Sequence, residues 1–203
     1  MMKKLFAAVV MVMTCLAGWA DSPLTSTHFA GAYADEPMVQ MASNFSTYIP
    51  TMMLNYLVDE KSPIDVRLAA LNQTSWNFDG QSTADQMLLR LSQRHHCQDK
   101  ETVLNSIDAK TLAVYAYAKA MSDYFDVNEA SALAHRAVEK DKSHSFSVAM
   151  VSALIDAQIY LDNDWSKIYP VVASVLNDES LHMDMRQEAI DAIMEYINEY
   201  QGY

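Results

Sequence analysis

Glycine is almost missing from this chain, with four residues in 203. Tight hairpin turns depend on glycine, because without a Cβ its backbone takes positive φ at no steric cost. A sheet-rich fold of this length would need many such turns. Valine and isoleucine rarely alternate with polar residues, while alanine and methionine are plentiful. The composition therefore predicts an all-α protein. Antiparallel helical hairpins would assemble into either a short, irregular α-solenoid or a helical bundle.

The first twenty residues have a different character. Met1-Met2-Lys3-Lys4 is followed by an apolar run from Leu5 to Ala17 and then by Gly18-Trp19-Ala20. A charged start, an apolar middle and a small-x-small end make a secretory signal peptide. The apolar run is too short for a bilayer span, which needs about twenty residues. Cleavage after Ala20 is expected, giving an exported protein, periplasmic or extracellular, that begins at Asp21. The rival reading is lipidation at Cys15, but Val12-Met13-Thr14 fits a lipobox poorly. Residues 21–35 are small and polar and read as a tether or loosely docked arm. Residues 36–203 read as a single helical domain.

The formal charge is −12, and it becomes more negative once Lys3 and Lys4 leave with the leader. Such a chain repels phosphate backbones, which disfavours nucleic acid and anionic membranes as partners. No later segment is long and apolar enough to span a bilayer. After cleavage the one remaining cysteine is Cys97, so an internal disulfide is impossible.

Caps and apolar spacing divide the domain. Asp35-Glu36-Pro37 opens a helix that Pro50 interrupts near Ile49, with a second short helix to about Asp59. Ser62-Pro63-Ile64-Asp65 opens the next, carrying Ile64, Leu68 and Leu71 on one stripe and ending at Asp79-Gly80. Ser82 caps another, with Ala84, Met87, Leu88 and Leu91 on its apolar side. Residues 95–105 lack periodicity and predict a loop. Helix 108–125 follows. Asp126-Val127-Asn128-Glu129 has the form of a capping box. Helix 145–161 is apolar nearly all round and should sit in the middle. Asp164 opens 165–176, which Pro170 should kink or shorten, and Asp184 with Gln187 opens the last helix.

Helix starts near 63, 108, 145 and 184 recur at the period of helical-hairpin arrays. One unit, Leu112–Lys142, resembles a tetratricopeptide repeat. Its turn Asp126-Val127-Asn128-Glu129-Ala130 is similar to that family's inter-helix turn, and Ala118 and Ala137 fall at its small positions. Met121 replaces the family's aromatic, and Lys142 stands where proline is usual. The resemblance implies a peptide groove lined by Leu112, Tyr115, Lys119 and Ser122. The same stripe equally suits packing against a neighbouring helix. The run from Ser62 to Gly80 is similar to a stretch of uncharacterised secreted bacterial proteins.

Chemistry-bearing clusters are few. His95-His96-Cys97 groups three soft-metal ligands, and His182-Met183-Asp184-Met185 suits copper(I), although adjacent residues rarely share one ion. Ser75–Gly80 faintly resembles a calcium loop, yet Gln86 stands where the bidentate glutamate belongs. His135 and Glu139 lie one turn apart. No nucleophile elbow, phosphate-binding glycine loop, His-Glu-x-x-His or Cys-x-x-Cys occurs. Neither a catalytic residue nor a cofactor is nominated. Tyrosines crowd the second half, suited to helix seams or to a recognition face. The leading expectation is an exported protein- or peptide-binding helical module. Metal handling by His95, His96 and Cys97, or a helical enzyme without a recognisable motif, are the alternatives.

Overall fold

A computed structural model describes residues 22–45, 48–74 and 82–203. The leader and the calcium-loop echo at Ser75–Gly80 lie outside the described residues. The described residues form ten α-helices and no strand: α1 (Pro37–Ala42), α2 (Thr51–Leu57), α3 (Ile64–Thr74), α4 (Thr83–His95), α5 (Lys100–Ser106), α6 (Ala109–Ser122), α7 (Asn128–Lys140), α8 (Phe146–Asn163), α9 (Ile168–Leu176) and α10 (Gln187–Ile197). Short 3₁₀ turns at Phe29–Tyr33, Trp165–Lys167 and Asn198–Tyr200 complete the chain. The protein is all-α.

Side chains that satisfy the orphan N–H groups of a first turn set several helix starts. Ser82 accepts from Asp85 N at 3.1 Å, and Asp108 accepts from Thr111 N at 2.6 Å. Ser145 accepts from Val148 N at 3.2 Å. Pro37 occupies the first position of α1, and Pro50 directly precedes α2. Both places tolerate a residue that has no N–H.

The expected loop at 95–105 contains a helix. Asp99 caps α5 through Thr102 N at 2.8 Å, and α5 buries Val103 and Leu104. Seven residues are too few for a period to emerge, so the pattern alone read as loop. The capping box at 126–129 does not form. Asp126 bonds Asn128 instead, and Glu129 pairs with Lys100 and Lys119. Asp184 does not cap its own helix either; it serves the start of α8.

The hub is α6, which packs against α3, α4, α7 and α8. Leu112, Ala113, Val114, Ala116, Tyr117 and Ala118 are all fully buried. Alanines at 113, 116, 118 and 120 let neighbours approach on several sides. Helix α8, expected at the centre, is also deeply buried, with Leu154 fully enclosed, but it lies beside α6 rather than inside everything else.

The N-terminal segment is no loose arm. Leu24, Thr27, Phe29 and Tyr33 are buried. Asn72 of α3 accepts from Ala30 N at 2.9 Å and donates to Thr27 O and to Tyr117 Oη, each at 3.0 Å. Gln158 of α8 accepts from Leu24 N at 3.4 Å. A segment with few large apolar groups is held here by side-chain hydrogen bonds to its backbone, which hydrophobic patterning does not register. The Phe29–Tyr33 turn also packs against α10. In a solenoid each repeat touches only its neighbours. Here the first 3₁₀ turn of the described residues meets the last α-helix, so they close as a bundle.

Candidate functional site

The first half of the stripe expected to line a groove, Leu112 and Tyr115, belongs to the core. Leu112 is fully buried and Tyr115 is 2% exposed. Burial first, then the charge of Glu129, pushes the Tyr115 hydroxyl up to about 12. Lys119 Nζ lies 3.2 Å from Glu129 of α7. Ser122 Oγ donates to Ala118 O at 2.7 Å and accepts from Ala84 N of α4 at 3.5 Å. All four residues serve seams of α6, so Leu112 and Tyr115 offer a partner no surface. The first half of the stripe is apolar because the hub helix is enclosed there, whereas Lys119 and Ser122 near its end are partly exposed.

The metal cluster does not assemble. His95 Nδ1 bonds the Ser106 hydroxyl at 3.1 Å. His96 takes a left-handed backbone at the end of α4, and Cys97 Sγ approaches Asp99 O at 3.8 Å. Among the described residues, no three His, Cys, Asp or Glu side chains are grouped to hold an ion. In the second soft cluster Met185 is buried and Met183 exposed. Asp184 takes Ser147 N at 2.9 Å, Ser145 Oγ at 2.7 Å and Lys110 Nζ at 3.0 Å. It clasps the first turn of α8.

His135 bonds Asp156 at 2.7 Å rather than pairing with Glu139, and Ser131 Oγ donates to the same carboxylate at 2.7 Å. The residue types are those of a hydrolase triad, but the order is wrong. Triad chemistry needs histidine between serine and acid to take the hydroxyl proton. Here the carboxylate stands between the other two.

What sequence reasoning missed is a cleft of about 520 Å³ lined by Met38 of α1, Met52, Asn55 and Tyr56 of α2, Asp59 and Ser62 beyond it, and Arg90 and Arg94 of α4. Its walls are laced by three residues one turn apart on α4. Gln86 Oε1 accepts from Ile49 N at 3.1 Å, Arg90 Nε donates to Asn55 Oδ1 at 2.5 Å, and Arg94 Nη1 donates to Val58 O at 2.6 Å. The partners advance in the same order, so α2 runs parallel to α4. Buried Arg67 of α3 donates to Leu57 O at 3.4 Å. Two guanidiniums thus hold consecutive carbonyls at the negative end of α2.

The Ser62 hydroxyl holds the Asp59 carboxyl below its usual range, with Arg94 and Arg67 adding at longer range. Burial, and then Glu36, push the Tyr56 hydroxyl up to about 12, so it stays a neutral hydrogen-bonding group. Met52, on the cleft wall, is 56% exposed. The cleft therefore joins apolar side chains to guanidinium donors. A smaller hollow of about 270 Å³, lined by Ser26, His28, Glu195, Tyr196 and Glu199, lies between the N-terminal segment and α10.

Comparison with family models, curated proteins and solved structures returned no match. Among the described residues no helix is long and apolar enough to cross a membrane.

Proposed function

We propose that this is an exported helical interaction module that captures a polypeptide segment in the cleft between α1, α2 and α4. The carrying observation is a concavity that brings Met38, Met52 and Tyr56 together with polar anchors, Met52 being 56% exposed. Ligand sites typically pair apolar walls with a few placed polar groups. The cleft volume falls within the roughly 300–1,000 Å³ usual for binding sites. Asn55, Ser62 and the arginines supply the hydrogen bonds that orient a bound backbone.

Synthetic octapeptides with apolar residues, read by fluorescence anisotropy, test the reading. Met52→Asp places a charge on the exposed wall and should weaken binding at least tenfold, with the melting temperature nearly fixed. Unchanged affinity in that variant, or no binding by the parent protein, would overturn the proposal. Export is tested separately by the intact mass of the product recovered outside the cytoplasm, which should begin at Asp21.

A further inference from the structure

The arginines of this chain are Arg67, Arg90, Arg94, Arg136 and Arg186. Arg136 pairs with Glu101, and Arg186 with Asp35 and Glu36. Arg67, Arg90 and Arg94 have no carboxylate within ion-pair distance among the described residues. These three are the ones that converge on the second half of α2. The chain carries 26 acidic residues against 14 basic ones, so three unpaired guanidiniums at one place are not what a random scatter of charge gives. Each has about five N–H donors. Arg94 spends one on Val58, and Arg90 spends two, on Asn55 and Gln93. The Nε and Nη2 of fully buried Arg67 have no hydrogen-bond partner among the described residues.

We infer that the cleft reads the free C-terminus of a polypeptide, its terminal carboxylate lying between Arg90 and Arg94. This rests on the peptide-capture reading above. Guanidinium forks suit carboxylates because planar donors match two oxygens at once. Arg90 and Arg94 stand one turn apart on α4 and so share a face. Arg67 beneath Leu57 adds positive potential from a buried position, where water screens it less. A terminal residue carries carboxylate and side chain on one Cα. That suits a cleft in which Met38, Met52 and Tyr56 stand beside the arginines. Asp59, on the same wall, repels a second acid, so the charge pattern selects one carboxylate on an apolar residue over an acidic run.

The test compares two versions of one octapeptide library with apolar last residues, as free acids and as C-terminal amides, against the full mature chain. The acids should bind at least tenfold more tightly than the amides, and the difference should shrink as salt rises. Arg90→Gln and Arg94→Gln should each erase most of that difference, with folding checked by circular dichroism. The comparison on the parent protein does not depend on how well the variants fold. Equal binding of acid and amide would overturn the carboxylate inference and leave peptide capture standing. Failure of both series would overturn both. Binding of decanoate when neither series binds would assign the cleft to an amphiphilic acid and also overturn the inference.

Discussion

At the scale of single residues, Arg67 is a charged side chain buried at a cost. It is 0% exposed, and among the described residues its bonds to Leu57 O and Thr111 Oγ1 leave Nε and Nη2 without a partner and no carboxylate lies within ion-pair distance. Burial lowers its affinity for its proton, against the more distant pull of Asp108 and Tyr56. Taking a charge out of water costs several kcal/mol, and apolar replacements of similar volume are often neutral or stabilising. Arg67→Met should therefore leave stability unchanged or raise it by about 1–3 kcal/mol, as read by urea denaturation. Arg67→Ala should lower it, because it opens a cavity as well. A large loss in the methionine variant would mean that the two carbonyl and hydroxyl bonds outweigh the buried charge. Tyr115 obeys the opposite logic. Its ring is buried against neighbouring helices, and Tyr115→Ala should cost about 3–5 kcal/mol.

At the scale of elements, the clasp at the start of α8 shows what a sequence hides. Ser145 and the apolar run behind it announce α8 plainly. That Asp184, thirty-nine residues on, reaches back to Ser145 and Ser147 leaves no local trace. Asp184 looks like a cap for its own helix because it stands three residues before Gln187. The candidate site is hidden in the same way. Arg90 and Arg94 at i and i+4 read as an ordinary solvated face of α4, and nothing local says that α2 lies alongside. Helices with both a cap and a long apolar period were legible; α5, capped but only seven residues long, and the N-terminal segment, held by side-chain bonds to backbone, were not.

The clasp also has a pH signature. Burial alone would raise the Asp184 pKa, but the Ser147 N–H, the Ser145 hydroxyl and Lys110 together hold it low. A carboxyl depressed on folding contributes stability above its unfolded pKa of about 3.9, and that contribution is lost as pH falls through the folded value. Asp184→Asn should cost about 1–3 kcal/mol at neutral pH. The gap to the parent should hold down to about pH 5 and narrow in more acid solution. Denaturation midpoints of both proteins along that series check the sign. A gap that widens with acid would place the clasp's strength elsewhere.

For the whole molecule, the decisive contact is the one that joins its two ends. The backbone N–H of Arg186 donates to Tyr33 Oη at 3.0 Å, and its guanidinium carbon lies 4.6 Å from the centre of the Tyr33 ring. Its Nη1 donates to Ala32 O at 2.9 Å, and Nη2 donates to Glu36 at 2.8 Å. These partners are separated by about 150 residues of chain, so the contact forms only when both ends are in place. An open array unfolds from its ends, repeat by repeat. A closed bundle has no free end and should unfold in one transition, with backbone and aromatic signals coincident. Trp165, packed edge-on against Tyr200 and Tyr203 near the C-terminus, contributes to the aromatic signal, and far-UV circular dichroism reports all the helices. Arg186→Ala removes the stacking and hydrogen bonds and should cost about 1–2 kcal/mol. Because the ends support each other, the loss should move the whole transition to lower denaturant, with both signals still overlapping. If the aromatic signal instead moves ahead of the helical one, the C-terminal helices unfold on their own, and the contact between α10 and the N-terminal turn is not what makes the bundle cooperative.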